Sequence, residues 1–408
     1  MRLCEKLIVK YKKFIKDIIL NLFASGIMVI VLQLLVYPFL GRINNVATFG
    51  EILVLMSIVN IIGVLLGSSL NNIRLKYYND YLSNKLKGDF SLLLLISIVI
   101  NALLIITILY IFFDGATIWE LIALILLSIL TMLRSYMTVE YRLKLQYNKI
   151  LQHAFSYCLG LGFGLYIVYI TSVWQFVFLF GELISFVFLL FTTNIIKEPY
   201  VKTRLFKSTS INFVFLALSN TLKNILLYLD RLILFPILGP YQVAVFFAST
   251  VIGKMTSFVL SPISGVVLSY LSRREENISL KLYFKINIMI VLFCLFVSIL
   301  AIISSFFALP LIYPDIFYDT LDILVVANIA VVINASTSIP QTIVLKYSKT
   351  YHQINIQIIY TILYLGLGLL FLSYWGLLGF SIGLLITSVI KFLIIFMFGY
   401  ISLSKPNY

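Results

Sequence analysis

The sequence predicts an all-α integral membrane protein, with twelve transmembrane helices in two lobes of six and both termini in the cytoplasm. Three observations carry that expectation. Runs of about twenty apolar residues, the length that crosses a bilayer as a helix, can be drawn twelve times between Ile18 and Ser402. The thirty Lys and Arg residues fall almost entirely into every second gap between those runs, as cytoplasmic loops do. Finally, Tyr37-Pro38-Phe39-Leu40-Gly41 is echoed half a chain later by Phe235-Pro236-Ile237-Leu238-Gly239. With one gap, Val46-Ala47-Thr48-Phe49 then aligns with Val243-Ala244-Val245-Phe246.

Span 1, residues 18–40, follows a tail carrying Arg2, Lys6, Lys10, Lys12, Lys13 and Lys16. The basic start resembles a signal peptide, but the apolar run is too long and no small-residue cleavage site follows, so it reads as a span. Arg42, just beyond it, is the one basic residue assigned to the outer side. Span 2, residues 51–70, returns to Arg74, Lys76, Lys85 and Lys87. Spans 3 and 4, residues 90–113 and 119–139, form a hairpin that comes back to Arg134, Arg142, Lys144 and Lys149. Spans 5 and 6, residues 150–171 and 174–196, do the same and deliver Lys197, Lys202, Arg204 and Lys207.

The second half repeats the pattern. Span 7 (211–236) leads out and span 8 (242–270) leads back to Arg273, Arg274, Lys281 and Lys285. Span 8 is longer than a perpendicular helix needs, so it should tilt or project into the cytoplasm. Spans 9 and 10 (286–309 and 320–345) reach Lys346 and Lys349, and spans 11 and 12 (353–373 and 377–402) end before Lys405. Six spans is an even number, so both halves enter from the cytoplasm and an axis along the membrane normal relates them, with substrate expected between. The expected division is an N-terminal lobe (1–197), a basic cytoplasmic linker (198–210) and a C-terminal lobe (211–408).

Composition narrows the function classes. At 62% hydrophobic and 11% charged, the chain lacks the polar surface for a soluble domain of its length, and its basic loops face anionic lipid. Nucleic-acid binding needs a module with interleaved aromatic and basic residues, and no segment outside the spans is long enough. Cys4, Cys158 and Cys294 are scattered with no paired spacing, so neither a disulfide framework nor a metal site is expected. His153 and His352 lie at span edges without carboxylate company and read as interfacial packing. No P-loop, catalytic triad or paired soluble carboxylates occur, so no enzymatic activity and no bound cofactor are expected. Transport driven by a proton or sodium gradient, or by substrate flux, remains.

The sharpest functional evidence is charge inside the spans, which costs at least ~2.5 kcal/mol per residue at the bilayer centre and is kept for a pathway or a partner. Lys223 lies about 18 Å into span 7 at the helical rise. Asn220, Lys223, Asn224, Asp230 and Arg231 recur there at helical spacing as one polar stripe. Lys254 lies at matching depth on span 8, with Thr250, Ser257 and Ser261 on its face. Lys391 is near mid-bilayer on span 12. Each lysine either lines a pathway, snorkels toward headgroups or neutralises by losing its proton on burial. Asp230 with Arg231 is either a structural pair at the outer end of span 7 or a gate contacting substrate. Glu182 on span 6 is the deep acid of the first half, either hydrogen-bonded or an ion-coupling site whose carboxyl titrates. Four interior cations against two anions favour an anionic cargo. Arg134, with the segment 140–147, is expected at the cytoplasmic ends of spans 4 and 5, anchoring headgroups or receiving an anionic lipid.

Leu229-Asp230-Arg231-Leu232-Ile233-Leu234, then Leu238-Gly239 and Val243 to Ser249, resembles the polysaccharide-exporter branch of the multidrug/oligosaccharidyl-lipid/polysaccharide (MOP) exporter superfamily, nearest to repeat-unit flippases of the Wzx type. Leu40-Gly41-Arg42 with Phe49-Gly50, Tyr141-Arg142-Leu143-Lys144, and Trp375-Gly376-Leu377-Leu378-Gly379 are similar to that family and occur in the same order. The resemblance implies a MATE-like, V-shaped pair of six-helix lobes in the bacterial cytoplasmic membrane. It also implies alternating-access transfer of an undecaprenyl-diphosphate-linked oligosaccharide to the outer leaflet for O-antigen, lipopolysaccharide or capsule synthesis. Partners would be the lipid-linked oligosaccharide, membrane lipids, and a glycan polymerase with its chain-length proteins. On this basis Lys223, Lys254, Lys391 and Arg231 hold the diphosphate. Relatives that flip the peptidoglycan precursor tend to carry arginines within spans 1 and 2, and this chain has none there. A multidrug exporter of the same superfamily, or a non-transporting component of a glycan pathway, are the alternatives.

Overall fold

The computed structural model describes the backbone of residues 2–113, 117–272, 278–347 and 350–404. It describes their side chains except at 2–15, 219, 222–223, 259, 261–262, 265–266, 268–272 and 350–351. Among the described residues all regular structure is helical, and nine helices are long and apolar enough to cross a membrane.

Helix α1 (Arg2–Val31) passes through a widened turn, Leu32–Val36, into α2 (Tyr37–Ile43). Pro38 explains the widening: it has no N–H to give the carbonyl four residues back, and its ring crowds that carbonyl. The ladder shifts there so that the Tyr37 N–H reaches Leu32 O. Helix α3 (Val46–Ser83) opens on Asn45, whose Oδ1 accepts from Thr48 N at 2.7 Å, a cap that satisfies one of the orphan N–H groups of the first turn. It runs well past residue 70, so Arg74 and Lys76 lie on a helix and not in a loop. Then follow α4 (Asp89–Phe112) and α5 (Ile118–Met137). The latter starts from a reciprocal capping box between Thr117 and Glu120. Next come α6 (Val139–Leu143), α7 (Tyr147–Thr171) and α8 (Gln175–Thr192).

Sequence span 7 is two helices, α9 (Phe206–Leu226) and α10 (Leu229–Leu238), separated at Leu227 and Tyr228. Their amides turn to the tighter acceptors Asn224 O and Ile225 O, at 3.2 and 3.0 Å. Helix α11 (Pro240–Ser272), the long helix expected for span 8, has 33 residues, and α12 (Leu280–Ile312) follows. Sequence span 10 is also split, into α13 (Phe317–Ser336) and α14 (Ser338–Tyr347). In α15 (Thr350–Ser404) the last two apolar runs join across a break at Trp375 and Gly376. Gly376 sits at φ 58°, ψ −137°, which side chains avoid.

The helices gather into two compact units, one of Met1–Asn44 with Glu51–Ile233 and the other of Asn45–Gly50 with Leu234–Tyr408. In the first, α7 packs on α8 and α1, and α8 on α5. The linker after α8 is fastened to this same unit. Asp89 accepts from Thr203 N at 2.7 Å and from Tyr81 Oη at 2.6 Å, while Arg74 pairs with Glu198. In the second unit α11 packs on α13 and α14, and α13 on α15. Asn328 of α13 is fully buried and ties α11 to it: its Nδ2 donates to Ser249 O at 2.7 Å and its Oδ1 accepts from Gly253 N at 3.0 Å. Gly50, at the edge of this unit, has no room for a side chain, since a Cβ there would lie 1.8 Å from Pro240 O.

Candidate functional site

Two groups of cations are drawn in among the helices, one in each unit; Arg231 and Lys391 are buried, Arg134 and Lys254 half-buried. In the first unit Arg231 of α10 is almost wholly buried. Its Nη1 donates to Ser57 Oγ at 2.9 Å and to Leu53 O at 3.2 Å on α3. Its guanidinium stands 5.6 Å from the Tyr228 ring centroid, a cation–π distance. Tyr37 lies within hydrogen-bonding reach of Arg231. Asp230, beside it in sequence, is equally buried.

Arg134 joins this unit from the last turn of α5. It does not reach out to the headgroups, as its place in the sequence leads one to expect. It turns inward, and its Nε meets both carboxylate oxygens of Glu182 on α8, at 2.8 and 3.0 Å. Thr131, one turn earlier on α5, donates its hydroxyl to the same carboxylate at 3.1 Å, and the Tyr157 ring of α7 covers the guanidinium at 4.8 Å. Glu182 is 2% exposed. The sequence reading left this acid either hydrogen-bonded or titrating; in the structure its carboxylate is ion-paired and hydrogen-bonded. Tyr228 feels the charge of both Arg134 and Arg231, so the two arginines belong to one electrostatic neighbourhood. One turn along α8, Ser185 bonds the buried His153 at 2.7 Å; this histidine is core and not interfacial.

In the second unit Lys391 of α15 is 9% exposed. Its Nζ donates to Asn334 Oδ1 at 2.8 Å and sits 4.2 Å from the Tyr360 ring centroid. Lys254 of α11 rests 5.8 Å from the Phe246 ring centroid. A row of rings runs between the two lysines, Phe246 to Phe380 to Tyr364 to Tyr360, with centroid steps of 5.3, 6.2 and 5.8 Å. Lys254 and Lys391 are therefore set along one aromatic wall, whose negative ring faces offset part of the cost of their burial.

Lys223 lies on α9, but its side chain is outside the described residues, as is that of Ser261. From the same predicted stripe, Asn220 donates to Ser69 Oγ at 3.3 Å within the first unit. Arg134 is the site residue that sequence reasoning misplaced. In the sequence it groups with the loop cations because it lies close to Arg142, Lys144 and Lys149. The available signal was its place before Ser135-Tyr136-Met137 in an unbroken apolar helix, three residues after Thr131.

Chemically, both groups are donor-rich. Guanidinium forks and ammonium groups set in low-dielectric surroundings attract anions, and arginine adds the planar geometry that fits phosphate or carboxylate.

No family profile matches the chain, and no curated protein does. Solved structures do. An outward-facing multidrug resistance MATE family transporter of the MOP superfamily aligns with TM-score 0.64 at 14% identity, over 95% of this chain and 96% of that one. An inward-facing MATE transporter of the same superfamily gives 0.63 at 15% identity, over 94% of each chain. The lipid II flippase MurJ, in an inward closed conformation, gives 0.62 at 16% identity, over 96% of this chain and 87% of that one. At these identities the likeness is one of fold: this chain has the multi-pass helical fold of MOP-superfamily transporters.

Proposed function

We propose that this protein is a flippase that carries undecaprenyl-diphosphate-linked oligosaccharide repeat units from the cytoplasmic to the outer leaflet by alternating access, supplying O-antigen or capsule synthesis. On this reading twelve transmembrane helices form two six-helix lobes, 1–197 and 211–408, joined by the cytoplasmic linker 198–210. The protein resides in the bacterial cytoplasmic membrane with both termini inside. Lys223, Lys254, Lys391 and Arg231 engage the diphosphate, Asp230 with Arg231 acts as a gate, Glu182 serves ion coupling, and a proton or sodium gradient drives the cycle. Polymerase and chain-length proteins of the same glycan pathway are its expected partners.

The observation that carries this reading is the sign of the charge held within the helix interiors. Away from the helix ends, where the buried acids Asp89 and Glu140 are already held by backbone N–H groups of the segments that follow α8, Arg231 and Lys391 are buried and Arg134 and Lys254 half-buried, against the buried Glu182 and Asp230. A binding interior with that balance suits a diphosphate, whereas an exporter of organic cations needs acids to meet its cargo. The exporter reading keeps its place because MATE transporters share the fold.

The test is the leaflet distribution of the lipid-linked oligosaccharide in cells lacking this protein, read with a sugar-specific probe before and after the cytoplasmic membrane is opened. Accumulation on the cytoplasmic face is expected, relieved by the wild-type gene and not by the Lys223→Ala, Lys254→Ala double variant. Normal outward display in the deletion strain would overturn the flippase reading and favour the exporter.

A further inference from the structure

Arg134 shows an imbalance that the ion pair with Glu182 does not explain. A guanidinium carries five N–H donors. Only the Nε–H of Arg134 is engaged: both Glu182 oxygens lie on Nε, and among the described residues neither Nη1 nor Nη2 meets a protein acceptor. A carboxylate that served only to neutralise an arginine would normally take the fork, two parallel bonds through Nε and an Nη or through both Nη groups. Here the carboxylate holds the base of the guanidinium, the Tyr157 ring covers one face, and the Nη edge is left open. That edge is not sealed in the core either. The Arg134 side chain keeps 17% exposure while Glu182 keeps 3%, and neither Nη is among the buried atoms lacking a partner. The donors therefore look into accessible space from a residue whose backbone lies in a membrane helix.

Open, preoriented guanidinium donors beside a low-dielectric wall form a site for an oxyanion, and their planar spacing matches two oxygens of a phosphoryl group. Arg231 adds positive charge to the same neighbourhood, because Tyr228 feels both arginines. We propose that the Nη edge of Arg134 is a phosphoryl-binding subsite of the first unit, taking one phosphate of a diphosphate-bearing lipid. Glu182, Thr131 and Tyr157 act as positioning residues that aim the fork. The identity of the lipid rests on the flippase reading above; the affinity for a phosphoryl group does not.

Inorganic pyrophosphate is the probe, titrated calorimetrically into the purified full chain in lipid nanodiscs. Two variants are compared with wild type. Arg134→Lys keeps the charge and loses the fork. The double variant Arg134→Gln, Glu182→Gln removes both charges together, leaves no uncompensated carboxylate, and keeps the test available if the single variant folds poorly. Loss of charge-assisted hydrogen bonds at about 1.5 to 3 kcal/mol each converts to roughly a ten- to hundredfold weaker Kd in either variant. Wild-type affinity in the double variant would mean that Arg134 only balances Glu182, and would overturn the inference, as would failure of the wild type to bind pyrophosphate. Scoring the same variants for leaflet distribution keeps the two readings separate. Pyrophosphate binding that depends on Arg134, alongside normal outward display of the glycan in the deletion strain, would uphold the subsite and sink the flippase. Absent binding with cytoplasmic accumulation of the glycan would do the reverse.

Discussion

The two units solve the burial of cations in different ways. In the first, each arginine is held by oxygen: Arg231 by a hydroxyl and a backbone carbonyl of α3, Arg134 by the Glu182 carboxylate. In the second, each lysine leans on an aromatic face, and Lys391 adds a single neutral amide. The contrast teaches that the charges of the first unit are structural partners of one another and of α3, whatever binding role is proposed for them. Lys391 of the second is a point charge set against an aromatic face and one neutral amide, with no acid beside it in either contact. Four changes break or sharpen that contrast, and their expected costs fall in sequence.

The largest effect belongs to Glu182→Ala. Removing one member of a buried ion pair leaves the other uncompensated, a loss of about 3 to 5 kcal/mol. Arg134 retains some exposure, so the lower end of that range is expected. Thermal unfolding in detergent reads it, and an unchanged midpoint would show that Arg134 finds its compensation elsewhere. The double variant with Arg134→Gln should recover much of the loss, which no independent pair of sites would do.

Gly50→Ala comes next, and it acts on the second unit through backbone alone. The new methyl would meet Pro240 O at 1.8 Å, at the first residue of the helix that carries Lys254. Carbonyl and proline cannot move aside as a side-chain tip would, so the overpacking cost is about 1 to 3 kcal/mol. Unfolding midpoints check this, and a neutral result would mean that the start of α3 is free to shift from α11.

How much of this was legible in the sequence follows from what each signal measures. Hydropathy and the alternation of Lys and Arg measure transfer into lipid, and they locate the helices well: the ends of α4 and α7 fall within three residues of their apolar runs. They are blind to breaks within an apolar run. The separation at Leu227 and Tyr228, the split at Thr337 and the widened turn at Leu32–Val36 all passed unnoticed, although Pro38 marked the last of them. Gly376 could be read, and the gap between the last two runs was placed beside it. For the site, a lone Lys391 in hydrocarbon stood out because nothing else near it is charged. Arg134 did not, because neighbouring loop cations absorbed it into the topological count. Its partner Glu182 lies 48 positions away, a separation that no local pattern carries.

A smaller effect is expected from Tyr360→Leu. The ring lies 4.2 Å under the Lys391 ammonium, and desolvated cation–π contacts contribute on the order of 1 to 2 kcal/mol. Tyr360→Phe keeps the ring and should cost less than half as much. Equal losses for the two substitutions would assign the stabilisation to the hydroxyl and not to the aromatic face.

The smallest change in stability is expected from Lys391→Met, and this is what makes it the most telling of the four. Methionine fills nearly the same volume as the lysine stem, and replacing a buried charge by an apolar residue of similar size is often neutral or stabilising. No carboxylate is left stranded, since the bonded partner is the neutral, half-buried amide of Asn334. A midpoint within about 1 kcal/mol of wild type is therefore expected. Export should still fall, by roughly tenfold or more if the ammonium contacts cargo through one charge-assisted bond. A stable protein that no longer exports separates binding from folding at a single position, which Glu182→Ala in the other unit cannot do. Full export with unchanged stability would instead mark Lys391 as a charge the second unit merely carries, and would shift the binding role to Lys254 and the arginines of the first.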